Sequence, residues 1–69
     1  MPGSIYKIIE LVGTSDLSWE EAAKNAVETA GGSLHDLRVA EITKLDMTVE
    51  GGKVSKYRAR VNVSFRLEE

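Results

Sequence analysis

The spacing of apolar and polar residues changes character twice along the chain. Residues 5–12, Ile-Tyr-Lys-Ile-Ile-Glu-Leu-Val, are rich in β-branched and aromatic types, broken only by Lys7 and Glu10, and predict a strand. Gly13-Thr14-Ser15-Asp16 carries turn chemistry and is expected to end it. A helical spacing follows, with Trp19, Ala22, Ala23, Ala26, Val27, Ala30 and Leu34 on one stripe. Ser18 supplies an N-cap, and Glu21, three residues on, completes a capping-box pattern. Glu20 adds negative charge at the positive end of the helix dipole. Most of the stripe is alanine, so this helix can approach a sheet closely but buries little area. Gly31-Gly32 weakens its C-terminal end. Residues 38–50 and 53–67 then predict two long strands joined through Gly51-Gly52, a dipeptide suited to a two-residue hairpin turn.

If those glycines form the turn, an unbroken hairpin pairs Ala40 with Val63, Ile42 with Val61 and Lys44 with Ala59. One face then carries Ala40, Ile42, Ala59, Val61, Val63 and Phe65, and is expected to receive the helix. The other carries Val39, Leu45, Met47, Val49 and Val54 beside Lys56, Arg58, Arg60 and Asn62. A slip of one residue exchanges the two faces. The fold class read from this pattern is α+β: a β-α-β-β unit whose three-stranded antiparallel sheet, in the order 1-3-2, packs on one helix. Leu45, Met47, Val49 and Val54 cluster toward the hairpin tip. A monomer rarely exposes an apolar patch of that kind, which makes these four the expected oligomer interface.

Size points the same way. Sixty-nine residues form a single expected domain over 1–69, and such a chain buries only about 60% of its unfolded surface. Without cysteine there are no disulfides and no thiolate metal sites, and the lone His35 builds no imidazole cluster. Self-association is the remaining way to supplement a thin core. Nine basic against eleven acidic side chains, a net charge of −2, argue against a dedicated nucleic-acid binder. No apolar run reaches the roughly 20 residues that span a bilayer. Met1-Pro2-Gly3-Ser4 lacks the basic-then-apolar pattern of a secretory signal, so the cytoplasm is the expected location.

Candidate chemistry is sparse. There is no nucleophile elbow, no histidine pair at helical spacing and no phosphate loop, and an enzyme is not expected. His35 reads as a surface histidine near the helix end. Arg58, Arg60 and Arg66 alternate along the last strand as a solvated or ion-paired face, with Glu41 the expected diagonal partner of Arg60. Trp19 reads as an anchor across the helix N-terminus. Thr14, Ser15, Asp16, Ser18, Glu20 and Glu21 put many oxygens in one stretch, but not at the spacing of a calcium loop. Asp46 and Glu50 are too far apart to chelate one ion unaided, so metal-ligating residues stay unassigned.

Particular runs of residues resemble the dodecin family along the whole chain. They are Tyr6-Lys7 with Ile9 to Ser15, the alanine-rich helix, Leu37 to Ile42, and Tyr57 through Val63 to Glu69. The resemblance implies a hollow homododecamer of tetrahedral symmetry, and a binding or storage role toward a small ligand or cation. Flavin-binding members stack a second-strand tryptophan on the flavin ring and hydrogen-bond it with a third-strand glutamine. By alignment those two ligand-binding positions fall on Val39 and Arg58. Valine has no aromatic face and arginine has no acceptor, so flavin recognition as the family practises it is not expected. Ser18-Trp19-Glu20 with Ala22-Ala23, Arg38-Val39-Ala40, Asp46-Met47 and Tyr57-Arg58 are more similar to the calcium dodecin branch, which implies Ca²⁺ as cofactor. The alternative is a flavin-binding dodecin with an altered pocket, Arg58 pairing with a flavin phosphate.

Overall fold

A computed structural model of the protein describes residues 3–32 and 36–67. Its elements run β1 (Ile5–Ser15), α1 (Trp19–Gly31), β2 (Leu37–Glu50) and β3 (Lys53–Leu67). The three strands form one antiparallel sheet in the order β1-β3-β2. The α+β arrangement and the strand order are those the sequence predicts. Leu34 and His35 lie outside the described residues.

β1 is three residues longer than expected, because Gly13, Thr14 and Ser15 pair with Ala59, Arg58 and Tyr57 instead of turning. The chain reverses one step later, where the buried Ser15 hydroxyl accepts from the Leu17 amide at 2.9 Å and the Ser18 amide at 3.4 Å. Ser18 then caps α1, its Oγ accepting from the Glu21 amide at 3.0 Å. The return bond of a capping box is not used: the Ser18 amide is directed to Ser15 rather than to the Glu21 side chain.

α1 packs on β1 and β3 and barely touches β2. Its buried face is Ala22, Ala23, Ala26 and Ala30, set against Ala59, Val61 and Val63 of the central strand. Ile9, Leu11, Val27 and Leu37 close the margins. Among the described residues no fully buried side chain is larger than valine. Gly13 explains how the helix comes so close: a Cβ placed there would lie 2.0 Å from the Ala22 carbonyl oxygen. The protomer is flat and long, 56 × 20 × 13 Å, with a radius of gyration of 14.4 Å. A compact chain of this length has a radius of about 11 Å.

The hairpin departs from an unbroken ladder. Gly51 and Gly52 do form the turn, at φ 58° and 77°, the positive values a type I′ turn demands. Ala40 faces Val63 and Ile42 faces Val61 as predicted, but Lys44 faces Arg60 and Leu45 faces Ala59. Thr43 is an extra residue in β2, its hydroxyl donating to the Arg60 carbonyl at 3.2 Å. Ser55 is an extra residue in β3 and restores the register before the turn. Such β-bulges leave one residue unpaired and re-aim its neighbours. From Thr43 to the turn the assignment of faces reverses. Leu45, Met47, Val49 and Val54 stand on the helix side of the sheet, not among the arginines, and Lys44 and Asp46 take the places expected for Leu45 and Met47.

Candidate functional site

The sheet face turned away from α1 carries the charged groups. Along β3 it presents Lys56, Arg58, Arg60, Asn62, Ser64 and Arg66, because every second residue of a strand shares a face. Arg58 sits opposite Asp46 of β2 and binds its carboxylate through two donors, Nε to Oδ1 at 2.7 Å and Nη2 to Oδ2 at 2.8 Å. Arg60 pairs with Glu10 of β1 at 3.6 Å rather than with Glu41, which faces Asn62. Lys56 donates to Asp16 at 2.6 Å. Neighbouring strand partners therefore compensate much of the basic strip.

The Arg58 fork holds the Asp46 carboxyl below its ordinary value of 3.8, with desolvation opposing and the Arg58 and Arg60 charges adding to the effect. Arg58 is displaced upward by the same bond. A depressed carboxyl contributes stability that is fully present above its unfolded value and is lost as pH falls through its folded one. In a carbon-detected acid titration, Asp46 is expected to show a midpoint below 3.8, and Arg58→Ala to return it toward that value. An unmoved midpoint in the Arg58 variant would show that the fork does not hold the carboxylate in solution.

Val39 lies on this same face, paired with Ser64 and 62% exposed. Arg58 is six residues further along β3, roughly 20 Å away at the rise of a strand. One protomer does not bring Val39 and Arg58 together. On the opposite face, Trp19 donates its Nε1 hydrogen to the Asp46 carbonyl at 2.9 Å and meets Tyr57 edge to face with centroids 5.1 Å apart. The anchoring role expected of Trp19 is thus directed at the hairpin, a contact not foreseeable without the bulged register. A groove of about 500 Å³ runs between β1 and α1, lined by Ile9, Leu11, Gly13, Asn25, Ala26 and Thr29 among others, and holds no titratable side chain. Among the described residues no three carboxylate or imidazole groups converge as a metal site. Asp16, Asp36 and Asp46 are each engaged by a cation of the same chain. A calcium ion takes six to eight oxygen ligands, and among the described residues no such cluster of carboxylates is assembled within one protomer.

The dodecin family profile matches residues 5–68. The chain belongs to the dodecin family. It is 44% identical over 64 residues to the calcium dodecin of Mycobacterium tuberculosis, covering 93% of this chain and 90% of that one. The dodecin of Thermus thermophilus is 37% identical over 67 residues, covering 97% of both. Among solved structures, a dodecin from Streptomyces coelicolor superposes with a TM-score of 0.91 at 35% identity, spanning 100% of this chain and 99% of that one. The M. tuberculosis calcium dodecin, described as calcium chelating with a novel calcium-binding site, superposes at 0.83 with 45% identity and covers 94% of this dodecin and 93% of its own chain. Its β-α-β-β order and 1-3-2 sheet are therefore those of a dodecin. No helix among the described residues is long and apolar enough to cross a membrane.

Proposed function

We propose that this dodecin is a self-assembling binding and storage protein, not an enzyme, and that its ligand is a cation such as Ca²⁺ held where copies meet. The observation that carries the choice of cation over flavin is the Arg58–Asp46 pair. Arg58 stands at the position of the family's flavin-bonding glutamine, and both ends of its fork are directed at a carboxylate of its own chain. Val39 at the stacking position offers no ring. Likeness to a calcium dodecin supports the cation directly. Since no three carboxylates converge among the described residues of one protomer, the ion draws on carboxylates contributed by several copies, which closed symmetric assembly supplies.

Calorimetry on chelator-treated protein tests the cation. Added Ca²⁺ is expected to release or absorb heat and to raise the melting temperature as free ion exceeds its dissociation constant. Riboflavin fluorescence is expected to stay unquenched. Absence of heat and of any thermal shift rejects calcium, and quenching of riboflavin puts flavin in its place. Twelve protomers of 7.6 kDa weigh roughly 91 kDa, a mass that light scattering reads directly.

A further inference from the structure

Two threonine hydroxyls bind the β3 backbone where the hairpin ladder is interrupted. At the first bulge, the Thr43 hydroxyl donates to the Arg60 carbonyl at 3.2 Å. Beside the second, at Ser55, the Thr48 hydroxyl accepts from the Lys56 amide at 3.0 Å. Arg60 and Lys56 flank Arg58, each two positions away along β3. The hydroxyls therefore bracket the stretch Lys44 to Thr48, whose centre is Asp46, the partner of Arg58.

The same stretch can pair in a second way. If both bulges closed, Thr43 would face Arg60, Thr48 would face Ser55, and the ladder would run unbroken. The pairs Ala40–Val63, Ile42–Val61 and Val49–Val54 and the glycine turn are common to both registers, because the two offsets cancel. The unbroken register would set Leu45 against Arg58 and turn Asp46 to the helix side opposite Tyr57, since a slip of one residue reverses faces. Registers that share their ends and their length are separated by local contacts. The Arg58 fork and the Trp19 bond to the Asp46 carbonyl favour the bulged one from the middle of the stretch. At its ends, hydroxyls that bind the backbone offer it an alternative to the regular ladder.

We infer that Thr43 and Thr48 are positioning residues: their hydroxyls hold the hairpin in its bulged register and so keep Arg58 on Asp46. This rests on the reading above, in which that pair closes the glutamine-equivalent position to flavin, and it names the residues that set the pair.

Thr43→Val/Thr48→Val keeps both side-chain shapes and a β-branched residue at each position, and removes only the hydroxyls. Nuclear Overhauser contacts are expected to move the cross-strand partner of Asp46 from Arg58 to Tyr57. The Asp46 carboxyl midpoint is expected to rise toward 3.8 as it leaves the guanidinium. Thr43→Ser/Thr48→Ser restores both hydroxyls and is expected to keep the parent's pairing and midpoint. A valine double variant that still pairs Asp46 with Arg58 at the parent midpoint overturns the inference. So does a serine variant that shifts as far as the valine one. Should the valine double variant not fold, Thr43→Val and Thr48→Val are each expected to show a second set of Asp46 resonances; one unshifted set in both overturns the inference. No ligand enters these measurements, so a parent protein that fails to bind Ca²⁺ overturns the proposed function and leaves the register lock standing.

Discussion

Replacing Gly13 by alanine is expected to cost about 3 kcal/mol, the upper range for forcing extra volume into a packed core. The reason is geometric. The added Cβ would meet the Ala22 carbonyl oxygen at 2.0 Å and the Ala22 carbonyl carbon and Ala26 Cβ at 3.0 Å. Two of these three obstacles are helix backbone, which no rotamer change relieves. Either α1 lifts from the sheet or β1 bends away. Both loosen the alanine face against Ala59 and Val61, the centre of a core that has little else. In a chain of this size each kcal/mol moves the melting temperature by about 4–8 °C, so a drop of at least roughly 12 °C is expected. Circular dichroism melts at matched protomer concentration measure it, since assembly makes melting concentration-dependent. A Gly13→Ala protein melting within 2–3 °C of the parent, roughly half a kcal/mol, would mean that the close approach is not maintained in solution.

Trp19→Ala is the second large effect, about 3 kcal/mol. The edge-to-face contact with Tyr57 is worth about 0.5–1.5 kcal/mol beyond its area. The bond from Nε1 to the Asp46 carbonyl adds about 0.5–1.5 kcal/mol. Lost burial of a half-covered indole contributes roughly 1–2 kcal/mol more. Trp19→Phe separates these contributions: it keeps a ring against Tyr57, removes the donor, and is expected to cost only about 1 kcal/mol. Denaturant unfolding of the three proteins should therefore rank them parent, Trp19→Phe, Trp19→Ala. If the phenylalanine variant is as unstable as the alanine one, the ring contact contributes nothing. The indole ties the start of α1 to β2 through the Asp46 carbonyl and to β3 through Tyr57, so the alanine variant should also loosen the hairpin tip from the helix.

The sequence reveals these structures unevenly, for physical reasons. β-branched runs, the Gly51-Gly52 turn and the Ser18 cap are local signals, and the elements they announce are present with ends shifted by up to three residues. Gly13 misleads because glycine is common in turns; its use here is to admit a helix from another part of the chain, which no neighbour in sequence reports. Thr43 and Ser55 mislead more deeply. Neither is a residue type that marks a bulge, and the offset at Thr43 is cancelled at Ser55, so the pairing is as expected from Val39 to Ile42 and again at the turn, and displaced between them. That displacement is why Leu45 and Met47 change faces and why Arg58 meets Asp46. The ion pairs follow only from the true register. Val39 and Arg58 were named by family likeness, and their separation within a protomer is visible only in three dimensions.

The two bulges also govern where the hairpin tolerates a change in length. Thr43 and Ser55 have no cross-strand partner. Excising either one straightens the ladder locally, leaves the glycine turn at two residues and keeps every flanking side chain on its present face. Excising Asp46 instead hands its ladder position to a neighbour and reverses Lys44 and Leu45. Homologous hairpins that differ from this one by a single residue are therefore expected to gain or lose it at positions 43 and 55.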